Sequence, residues 1–310
     1  MGKILVIGSS NTDLIATVKS FPTAGETIVG KSFLQAMGGK GANQAVAAHK
    51  LGGDVKFITC LGRDANGQNA LKYYNEEGLD VSSSLIVDDV PSGTAIILVD
   101  EKGENCIVIT PGANKMLSPA YIQKVEDDIA TSDMVVLQME IPYATVKTVC
   151  ELAHRNHKKV MLNVAPACQL DEDLVKMIDI LVVNETEAET ISGEKIGTTG
   201  EDAVVDKLLA MGVNTVVLTL GKKGCLLKNN QQVLFVPAFI VETLDSTAAG
   251  DTFCGALAAE LSRGHDWDET LKFATAASAI CVTRMGAQPS IPSEKEVREF
   301  LNKHKEPVAK

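Results

Sequence analysis

The sequence of 310 residues is poor in aromatic side chains, which make up 4% of it and include a single tryptophan. Hydrophobic residues nevertheless amount to 45% of the chain. A core of this composition must therefore consist mainly of Val, Ile, Leu and Ala side chains. Charged residues, at 22%, complete the balance of a globular protein and exclude a disordered or collagen-like chain.

An excess of basic residues is also absent. Lys and Arg number 29 against 40 Asp and Glu, which gives a formal net charge of −11 at pH 7. Proteins that bind nucleic acid neutralise phosphates with a positively charged face. This charge balance therefore argues against a nucleic-acid partner.

No hydrophobic run approaches the ~18 residues of a membrane-spanning helix. The first apolar run, Ile4–Ile7, is too short for the core of a secretory signal, and Val6 stands where a myristoylation signal has Ser or Thr. The seven cysteines are odd in number, form no CxxC pair and lie inside apolar runs. We therefore expect a cytoplasmic protein with reduced, buried thiols and no membrane partner.

Short apolar segments alternate along the chain with segments of helical periodicity. Apolar runs without strict alternation are typical of strands buried on both faces. They predict strands at Lys3–Gly8, Val55–Leu61, Met134–Met139, Lys159–Val164, Asp179–Val183 and Thr215–Leu220. Helices are predicted at Gly41–Leu51, Asn66–Glu77, Pro142–His157, Glu201–Met211, Ala249–Arg263 and Asp268–Thr283. This repetition predicts an α/β fold in which helices cover both faces of a central, mainly parallel sheet.

Two regions depart from this repetition. Residues Glu26–Gln35 partly alternate between apolar and polar side chains, while Thr94–Val99 and Asn105–Thr110 flank a polar turn, as in a hairpin. We predict that these segments form a small second sheet. Another hairpin is predicted for Gly224–Lys228 with Val233–Val236.

Residues Gly25–Ser32 match the pattern G-x-x-x-x-G-K-[ST] of a phosphate-binding loop. That pattern binds phosphate only between a buried strand and the start of a helix. Here a turn, Phe21–Ala24, precedes it, and Ile28 and Val29 occupy positions that are normally small. We therefore interpret the segment as a strand of the small sheet.

Polar segments follow the predicted strands or begin the predicted helices, where ligands bind in open α/β sheets. Asn11 and Asp13, past the first strand, could bind vicinal hydroxyls, although an Asx turn would use the same residues. In Gly38–Asn43, three glycines in four positions allow close backbone approach. Lys40 and Asn43 could project from it toward a polar ligand, unless the segment is only a flexible loop.

Asn184 and Glu187 follow another strand and share one face of the first helical turn. An amide oxygen and a carboxylate at that position suit a hydrated divalent cation. The same two residues could instead form an N-terminal capping arrangement.

The segment Asp245–Phe253 is the most specific of these. Ala248, Ala249 and Gly250 remove bulky side chains from a helix start, where backbone N–H groups and the helix dipole attract an anion. Asp251, in the same turn, could take a proton from a hydroxyl that attacks this anion. The alternative is that Asp251 only stabilises the start of its helix.

Taken together, these residues resemble the ribokinase-like carbohydrate kinase family, nearly from end to end. The two segments that carry the resemblance are G-G-K-G-A-N-Q-A at 38–45 and D-S-T-A-A-G-D-T-F at 245–253. The first is closer to family members that phosphorylate ribose than to fructokinases or adenosine kinases. The resemblance implies in-line transfer of the γ-phosphoryl group of ATP to O5 of D-ribose. A kinase for another small sugar, such as 2-deoxyribose or fructose, and a sugar-binding regulator that lost transfer remain alternatives.

The resemblance also implies a role for each segment. Asp251 would be the general base, and the amides of Ala248, Ala249 and Gly250 would form an anion hole. The sugar would be held by Asn11, Asp13, Gly39, Lys40, Gly41, Ala42, Asn43, Glu140 and Asp251. The nucleotide would lie along Asn184, Thr219, Leu220, Gly221, Lys222, Lys223, Gly224, Gly250 and Thr275.

Two ions and a second subunit are implied in the same way. Mg²⁺ bound with ATP would lie near Asn184 and Glu187, through water. A K⁺ ion beside the anion hole would take oxygens of Asp245, Thr247, Cys281, Arg284, Gly286 and Ser290. The small sheet, about residues 12–36 and 90–112 of one domain spanning 1–310, would be a lid over the sugar. Such lids also pair two subunits, so we expect a homodimer.

Overall fold

Strands and helices alternate along most of the chain in the computed structural model, which describes residues 1–304. The end of the predicted domain, 305–310, lies outside the described residues. The strands are β1 (Lys3–Ile7), β2 (Asn11–Thr17), β3 (Ser32–Gly38), β4 (Asp54–Ile58), β5 (Cys60–Gly62), β6 (Leu85–Val87), β7 (Gly93–Val99), β8 (Asn105–Thr110), β9 (Met134–Gln138), β10 (Lys159–Asn163), β11 (Ile180–Asn184), β12 (Thr215–Thr219), β13 (Gly224–Asn229) and β14 (Val233–Pro237). The helices are α1 (Lys40–Lys50), α2 (Ala65–Glu76), α3 (Pro119–Lys124), α4 (Glu126–Thr131), α5 (Tyr143–Arg155), α6 (Glu172–Val175), α7 (Glu185–Ser192), α8 (Ile196–Thr199), α9 (Glu201–Ala210), α10 (Ala249–Ser262), α11 (Trp267–Cys281) and α12 (Glu294–Lys303).

The central sheet has the strand order β14-β13-β12-β11-β10-β9-β1-β4. The strands from β12 to β4 in this order are parallel, and β13 and β14 are antiparallel at one edge. Side chains of β1 alternate between the two faces: Ile4 and Val6 pack into one buried cluster, and Leu5 and Ile7 into the other. Helices cover both faces, which confirms the predicted fold class.

The predicted strand Val55–Leu61 is wrong as a single element. The chain forms β4 in the central sheet and then β5, which pairs with β6 in a separate two-stranded sheet. The break lies at Thr59, whose backbone bonds to Ser84 and Leu85 rather than continuing along β1. The other predicted strands of the central sheet, and the predicted helices, begin and end within two residues of their observed bounds.

Several helices were not predicted, namely α3, α4, α6, α8 and α12, and α7 was expected only as a first helical turn at Asn184 and Glu187. The first four are only four to six residues long, too short for a clear apolar period. Helix α12 is largely polar, but it carries a detectable start signal. Ser293 and Glu296 form a capping box there, each side chain bonded to the backbone of the other.

The small sheet has the order β3-β2-β7-β8, and both predicted hairpins, β7–β8 and β13–β14, are confirmed. The prediction of a strand over Glu26–Gln35 is wrong for its first half. Strand β3 begins only at Ser32, opposite Thr17 at the end of β2. Residues before Ser32 have no strand of the sheet opposite them and cannot extend its ladder.

Residues 25–31 are therefore neither a phosphate-binding loop nor a strand, and only Ser32 of the matched segment belongs to β3. The segment starts at a turn in which Gly25 has φ 82°, and Val29 is 91% exposed. Lys31 forms an ion pair with Glu101 in the β7–β8 turn. The segment is a surface connection within the small sheet, and neither a buried strand nor a helix supports it.

Helices α1 and α10 pack unusually closely on one face of the central sheet. The reason is Gly255: a Cβ atom at this position would lie 2.5 Å from the Ala47 Cβ and 2.7 Å from the Ala48 nitrogen. Small residues are frequent on both helices, with Ala45, Ala47 and Ala48 on α1 and Ala256 and Ala259 on α10. This close approach brings the first turns of the two helices together at one edge of the sheet.

The expectation that all thiols are buried is wrong for Cys106, which is exposed on the edge strand β8. Cys168 is partly exposed, and the other five are buried. Within residues 1–304, the chain contains no helix that combines the length and apolar character needed to cross a membrane.

Candidate active site

A cleft of about 220 Å³ lies at the carboxyl edge of the central sheet. Parallel strands deliver their last residues to this edge: Asn163 from β10, Asn184 from β11 and Thr219 from β12. The remaining walls come from the starts of α1, α7 and α10. The cleft is lined by Lys40, Asn163, Ala165, Val182, Asn184, Glu187, Thr219, Ser246, Ala248, Ala249, Gly250, Asp251 and Cys254.

Asp251 lies in the first turn of α10 and is only 6% exposed. Its Oδ2 atom accepts a hydrogen bond from Asn43 Nδ2 at 2.9 Å, and its Oδ1 atom accepts one from Gln44 Nε2 at 3.0 Å. Both donors belong to the first turns of α1. The carboxylate is thus held at the cleft by two side-chain amides and forms no ion pair within 4.0 Å among the described residues.

The backbone before Asp251 is arranged to leave amide groups free. Ala248 has φ 60°, the left-handed region that residues with a Cβ rarely adopt. The Ala249 amide makes a long bond of 3.3 Å to the Ser246 carbonyl. The amides of Ala248 and Gly250 donate to no acceptor within residues 1–304. A helix start with free amides is a site for an anion.

A second polar group lies where β1 passes into the small sheet. Asn11 and Asp13 are the first residues of β2, so the alternative of an Asx turn is wrong. The Asn11 Oδ1 atom accepts a bond from Asn114 Nδ2 at 2.8 Å. Asp13 is packed against Gly38, where a Cβ would lie 2.1 Å from the Asp13 Oδ2 atom.

The Gly38–Asn43 segment is not a flexible loop. Gly39 has φ 89°, and a Cβ there would lie 2.8 Å from the Asn11 nitrogen, so glycine is required. The helix α1 starts at the next residue. The Lys40 amide donates to Glu140 Oε2 at 3.0 Å, and Ser9 Oγ donates to the same oxygen at 2.6 Å.

Acidic groups are concentrated around Lys40. Burial, with the neighbouring charges of Glu140 and Asp251, raises the pKa of Asp13 to about 7. The carboxylates of Asp251, Glu140 and Glu187 raise the pKa of Lys40 above its usual value, against the effect of burial. Lys40 therefore remains a cation among carboxylates, placed to receive a polyanion.

Asn184 and Glu187 form the capping box that the sequence left as an alternative. The backbone N–H of Asn184 donates to Glu187 Oε2 at 2.8 Å, and the backbone N–H of Glu187 donates to Asn184 Oδ1 at 2.9 Å. Both residues also line the cleft, and burial raises the pKa of Glu187. Over residues 1–304, no group of three His, Cys, Asp or Glu side chains is arranged to hold a metal directly. Because only one carboxylate oxygen of Glu187 accepts a hydrogen bond in the capping box, the other oxygen could bind a hydrated cation.

The predicted nucleotide residues do not all reach the cleft. Thr219 lines it, but Leu220 is in the hydrophobic core. Gly224 has φ 120° and lies so close to Val236 that its backbone admits no Cβ. Thr275 is buried on α11, with its Oγ1 atom 3.6 Å from Cys225 Sγ.

The remaining predicted nucleotide residues lie in the connection between β12 and β13. Gly221, Lys222 and Lys223 form a short 3₁₀ turn there, and Lys223 Nζ bonds to Glu201 Oε1 at 2.8 Å. This turn follows Thr219 after one intervening residue, Leu220, and its residues do not line the cleft.

The segments predicted to hold a monovalent cation meet in the structure. Asp245 Oδ1 accepts bonds from the Thr247 amide at 2.9 Å and the Thr247 hydroxyl at 2.7 Å. Its Oδ2 atom accepts the Gly286 amide at 2.9 Å. Asp245 therefore caps a turn. It also links residues 245–250, the proposed anion-binding segment, to the loop after α11.

The other predicted cation residues lie around this link. Cys281 Sγ is 3.0 Å from the Ser290 hydroxyl and 3.7 Å from the Thr247 carbonyl. The Cys281 carbonyl accepts the Arg284 amide at 3.1 Å. The Arg284 side chain points away to an ion pair with Glu296 at 2.6 Å. Only main-chain oxygens of Cys281 and Arg284 could therefore face a cation.

Sequence reasoning missed a set of buried amides beside Asp251. Gln138 and Asn163 each hydrogen-bond to Gln44, which also donates to the Asp251 carboxylate. A signal was present in the sequence: Gln138 and Asn163 each end an otherwise apolar strand at the same edge of the sheet. A buried amide at that position needs polar partners.

Comparison with known proteins identifies similar chains of nearly the same length. The chain is 40% identical over 301 residues to a ribokinase of Haemophilus influenzae, covering 96% of this chain and 98% of that protein. It is 36% identical to a deoxyribokinase of Salmonella typhimurium, with 96% and 98% covered. A solved structure of Arabidopsis thaliana ribokinase complexed with ribose and ATP matches with a TM-score of 0.91 and 32% identity, covering 97% of this chain and 98% of that one.

The family comparison agrees with the fold and with the polar groups at the sheet edge. The model of the pfkB family carbohydrate kinases matches residues 1–294, which include both polar groups and the cleft. The chain therefore belongs to the pfkB family of carbohydrate kinases.

Proposed function

We propose that this chain transfers the γ-phosphoryl group of ATP to the O5 hydroxyl of D-ribose. The observation that carries this proposal is the position of Asp251. Its carboxylate lies in the same helical turn as the free amides of Ala248 and Gly250. A base and an anion site on adjacent residues are what in-line transfer to a hydroxyl requires. The similarity to ribokinases supports ribose as the acceptor.

Sugar binding is assigned to the polar group between β1, β2 and α1. Asn11, Asp13, Asn43 and Glu140 offer carboxylate and amide groups to hydroxyls, and the backbone of Gly39, Gly41 and Ala42 completes this wall. Asp13 and Asp251 are close enough for their charges to interact. The sugar hydroxyls would thus lie between the small sheet and the start of α10.

The chemical step follows from this placement. As the O5 oxygen forms its bond to the γ-phosphorus, Asp251 takes the hydroxyl proton. The bond from the γ-phosphorus to the β–γ bridging oxygen breaks in the same in-line displacement, and ADP leaves. The amides of Ala248 and Gly250, with the dipole of α10, stabilise the charge that develops on the phosphoryl oxygens. Lys40, which also lines the cleft, supplies a positive charge. A small sheet closing over the sugar would exclude water, which competes as an acceptor.

The nucleotide is assigned to the side of the cleft formed by Asn184, Thr219 and the turn at 221–223. Mg²⁺ bound to ATP would lie near Glu187, whose free carboxylate oxygen suits a hydrated cation. When bound, it would shield the charge of the phosphates. We also propose a K⁺ ion between the segments around Asp245 and Gly286, where it would hold the anion-binding backbone in place.

Pairing of two copies through the small sheet is proposed from its surface. It exposes six large apolar side chains, namely Phe33, Leu34, Ile96, Ile107, Val108 and Ile109. An exposed apolar patch of this kind marks an interaction surface. By the strand register, Phe33, Ile96 and Val108 share the face of the sheet opposite Asp13. A second copy that covers this face would stabilise the four-stranded sheet.

The proposed function is tested by measuring ADP release with D-ribose, 2-deoxyribose and fructose, each with Mg²⁺ and ATP. We expect the highest kcat/KM with D-ribose, and a product phosphorylated at O5 by ³¹P NMR. A higher kcat/KM with another sugar would identify that sugar, and not ribose, as the substrate. Sugar binding without ADP release from any sugar would indicate a binding protein and overturn the proposal.

Replacing Asp251 with Asn should lower kcat by ~10²–10⁴-fold, the usual loss for a general base. Asn keeps the shape of the side chain but cannot accept the proton. Sugar binding, measured by calorimetry, should be largely retained. A variant with kcat within about threefold of the wild type would contradict the role of Asp251.

Sugar affinity should rise with pH through the pKa of Asp13, about 7. The ionised fraction of Asp13 grows from about one tenth at pH 6 to about nine tenths at pH 8, so the Kd for ribose should fall about tenfold if only this form accepts the sugar hydroxyls. Calorimetry at pH 6, 7 and 8 measures this. Asp13→Asn should bind more weakly and without this pH dependence; the same slope in both proteins would refute the role of Asp13.

Activity should rise with K⁺, rise less with Na⁺, and require Mg²⁺ in either case. Asp245→Ala removes the tie between the two segments, so it should lower kcat and abolish the response to K⁺. Steady-state rates at matched ionic strength test this. Equal rates in K⁺ and in a bulky organic cation would contradict the proposed ion.

The wild-type chain should sediment as a dimer, and Val108→Lys should sediment as a monomer, because it places a charge in the apolar surface of the small sheet. Val233→Lys is the matched control, since Val233 is similarly exposed but lies on β14 in the central sheet. Analytical ultracentrifugation distinguishes the states. A monomeric wild type, or dissociation by the control alone, would rule out this interface.

A further inference from the structure

The Asp251 carboxylate is one end of a chain of buried side-chain amides that begins at the central sheet. Asn163 Nδ2 donates to the Val182 carbonyl at 3.0 Å. Gln44 Nε2 donates to Asn163 Oδ1 at 3.1 Å and to Asp251 Oδ1 at 3.0 Å. Gln138 Nε2 donates to Gln44 Oε1 at 2.7 Å. The chain crosses from β11 through β10 and α1 to α10.

Each amide in this chain has its orientation fixed by the one before it. The Val182 carbonyl can only accept, so Asn163 must turn its NH₂ group toward it and its oxygen toward Gln44. Gln44 must then present its NH₂ group, whose two hydrogens serve Asn163 and Asp251. Its oxygen consequently faces Gln138, which must donate in turn.

The fixed direction of these hydrogen bonds leaves an acceptor at the Gln138 end of the chain without a donor among residues 1–304. The Gln138 Oε1 atom is buried and has no hydrogen-bond partner within the described part of the chain. It lies beside Gly8, where a Cβ would be 2.2 Å away. A buried acceptor without a donor is unfavourable, so the arrangement is maintained by the bonds that Gln138 and Gln44 make elsewhere.

A second, shorter chain reaches the other carboxylate oxygen. Asn43 Nδ2 donates to Asp251 Oδ2 at 2.9 Å, and Gln288 Nε2 donates to Asn43 Oδ1 at 3.2 Å. Gln288 belongs to the loop after α11 that Asp245 ties to the anion-binding segment. Both oxygens of Asp251 thus accept one N–H each, and each keeps a lone pair.

We infer that Gln44 is a positioning residue for Asp251: through the chain anchored at Asn163, it holds the carboxylate as an ionised acceptor aimed at the substrate hydroxyl. This rests on the proposed function, in which Asp251 is the general base. An N–H donor stabilises the charged form of a carboxylate and restricts its rotation. Gln44 itself does not line the cleft, and it reaches the reaction only through the Asp251 carboxylate.

The test is Gln44→Met, which keeps the length of the side chain and removes both N–H donors. We expect kcat to fall ~10–100-fold, the value of a hydrogen bond to a charged group, while KM for ribose and for ATP stays within about threefold. Thr59→Val is the control, because it also makes a buried polar side chain apolar but lies away from the cleft. Thermal unfolding and sugar calorimetry verify that each variant is folded.

A double-mutant cycle with Asp251→Asn separates positioning from general damage to the fold. If Gln44 acts through the carboxylate, Gln44→Met should cost little further rate in the Asp251→Asn background. An equal loss in both backgrounds, or an unchanged kcat in the single variant, would overturn the inference. A wild-type chain without kinase activity would instead refute the proposed function.

If Gln44→Met does not fold, Gln138→Met tests the inference in its place. It removes the donor that holds the Gln44 oxygen and leaves the contact between Gln44 and Asp251 in place. We expect a smaller loss of kcat than for Gln44→Met, again with little change in KM. An unchanged kcat in folded Gln138→Met would then overturn the inference.

Discussion

The close contact between the first turns of α1 and α10 is the constraint on which the site depends. Gly255 allows the helices to approach until Asn43 and Gln44 reach the Asp251 carboxylate. Both helices thereby direct their N-terminal ends at one edge of the sheet. Helix starts attract negative charge, so this single packing arrangement makes the cleft suited to an anion and places the Asp251 carboxylate, the proposed base, beside it.

The same edge collects charge that would be unfavourable elsewhere in a protein. Glu140, Glu187 and Asp251 lie around Lys40. Burial, together with the charges of Glu140 and Asp251, raises the pKa of the nearby Asp13 to about 7. Such a cluster opposes folding unless hydrogen bonds or a ligand compensate. Side-chain amides and backbone N–H groups supply part of that compensation, and binding of sugar and nucleotide would supply the rest. The central sheet, with apolar side chains on both faces, provides the stability that this arrangement needs.

The fold could largely be predicted because its signals are local. Apolar runs such as Met134–Gln138 and the Ala-rich start of α1 specify their own structure by composition and period. The strand predicted over Val55–Leu61 failed because the turn of the backbone at Thr59 toward Ser84 is a contact between distant residues. The strand predicted over the first half of Glu26–Gln35 is absent for a related reason. A strand forms only where another strand lies opposite it.

The sequence by itself determined the class of fold, the segments that carry the chemistry and the candidate base, since each depends on residue types within a few positions. It left Asn184 and Glu187 open between a cap and a cation site, and the structure shows the cap while keeping both residues at the cleft. Only the tertiary structure decided that Gln44, Gln138 and Asn163 form one chain ending at Asp251. Bonded partners in this chain are 94 to 207 positions apart in sequence, and hydrogen bonds between them arise only when sheet and helices have packed.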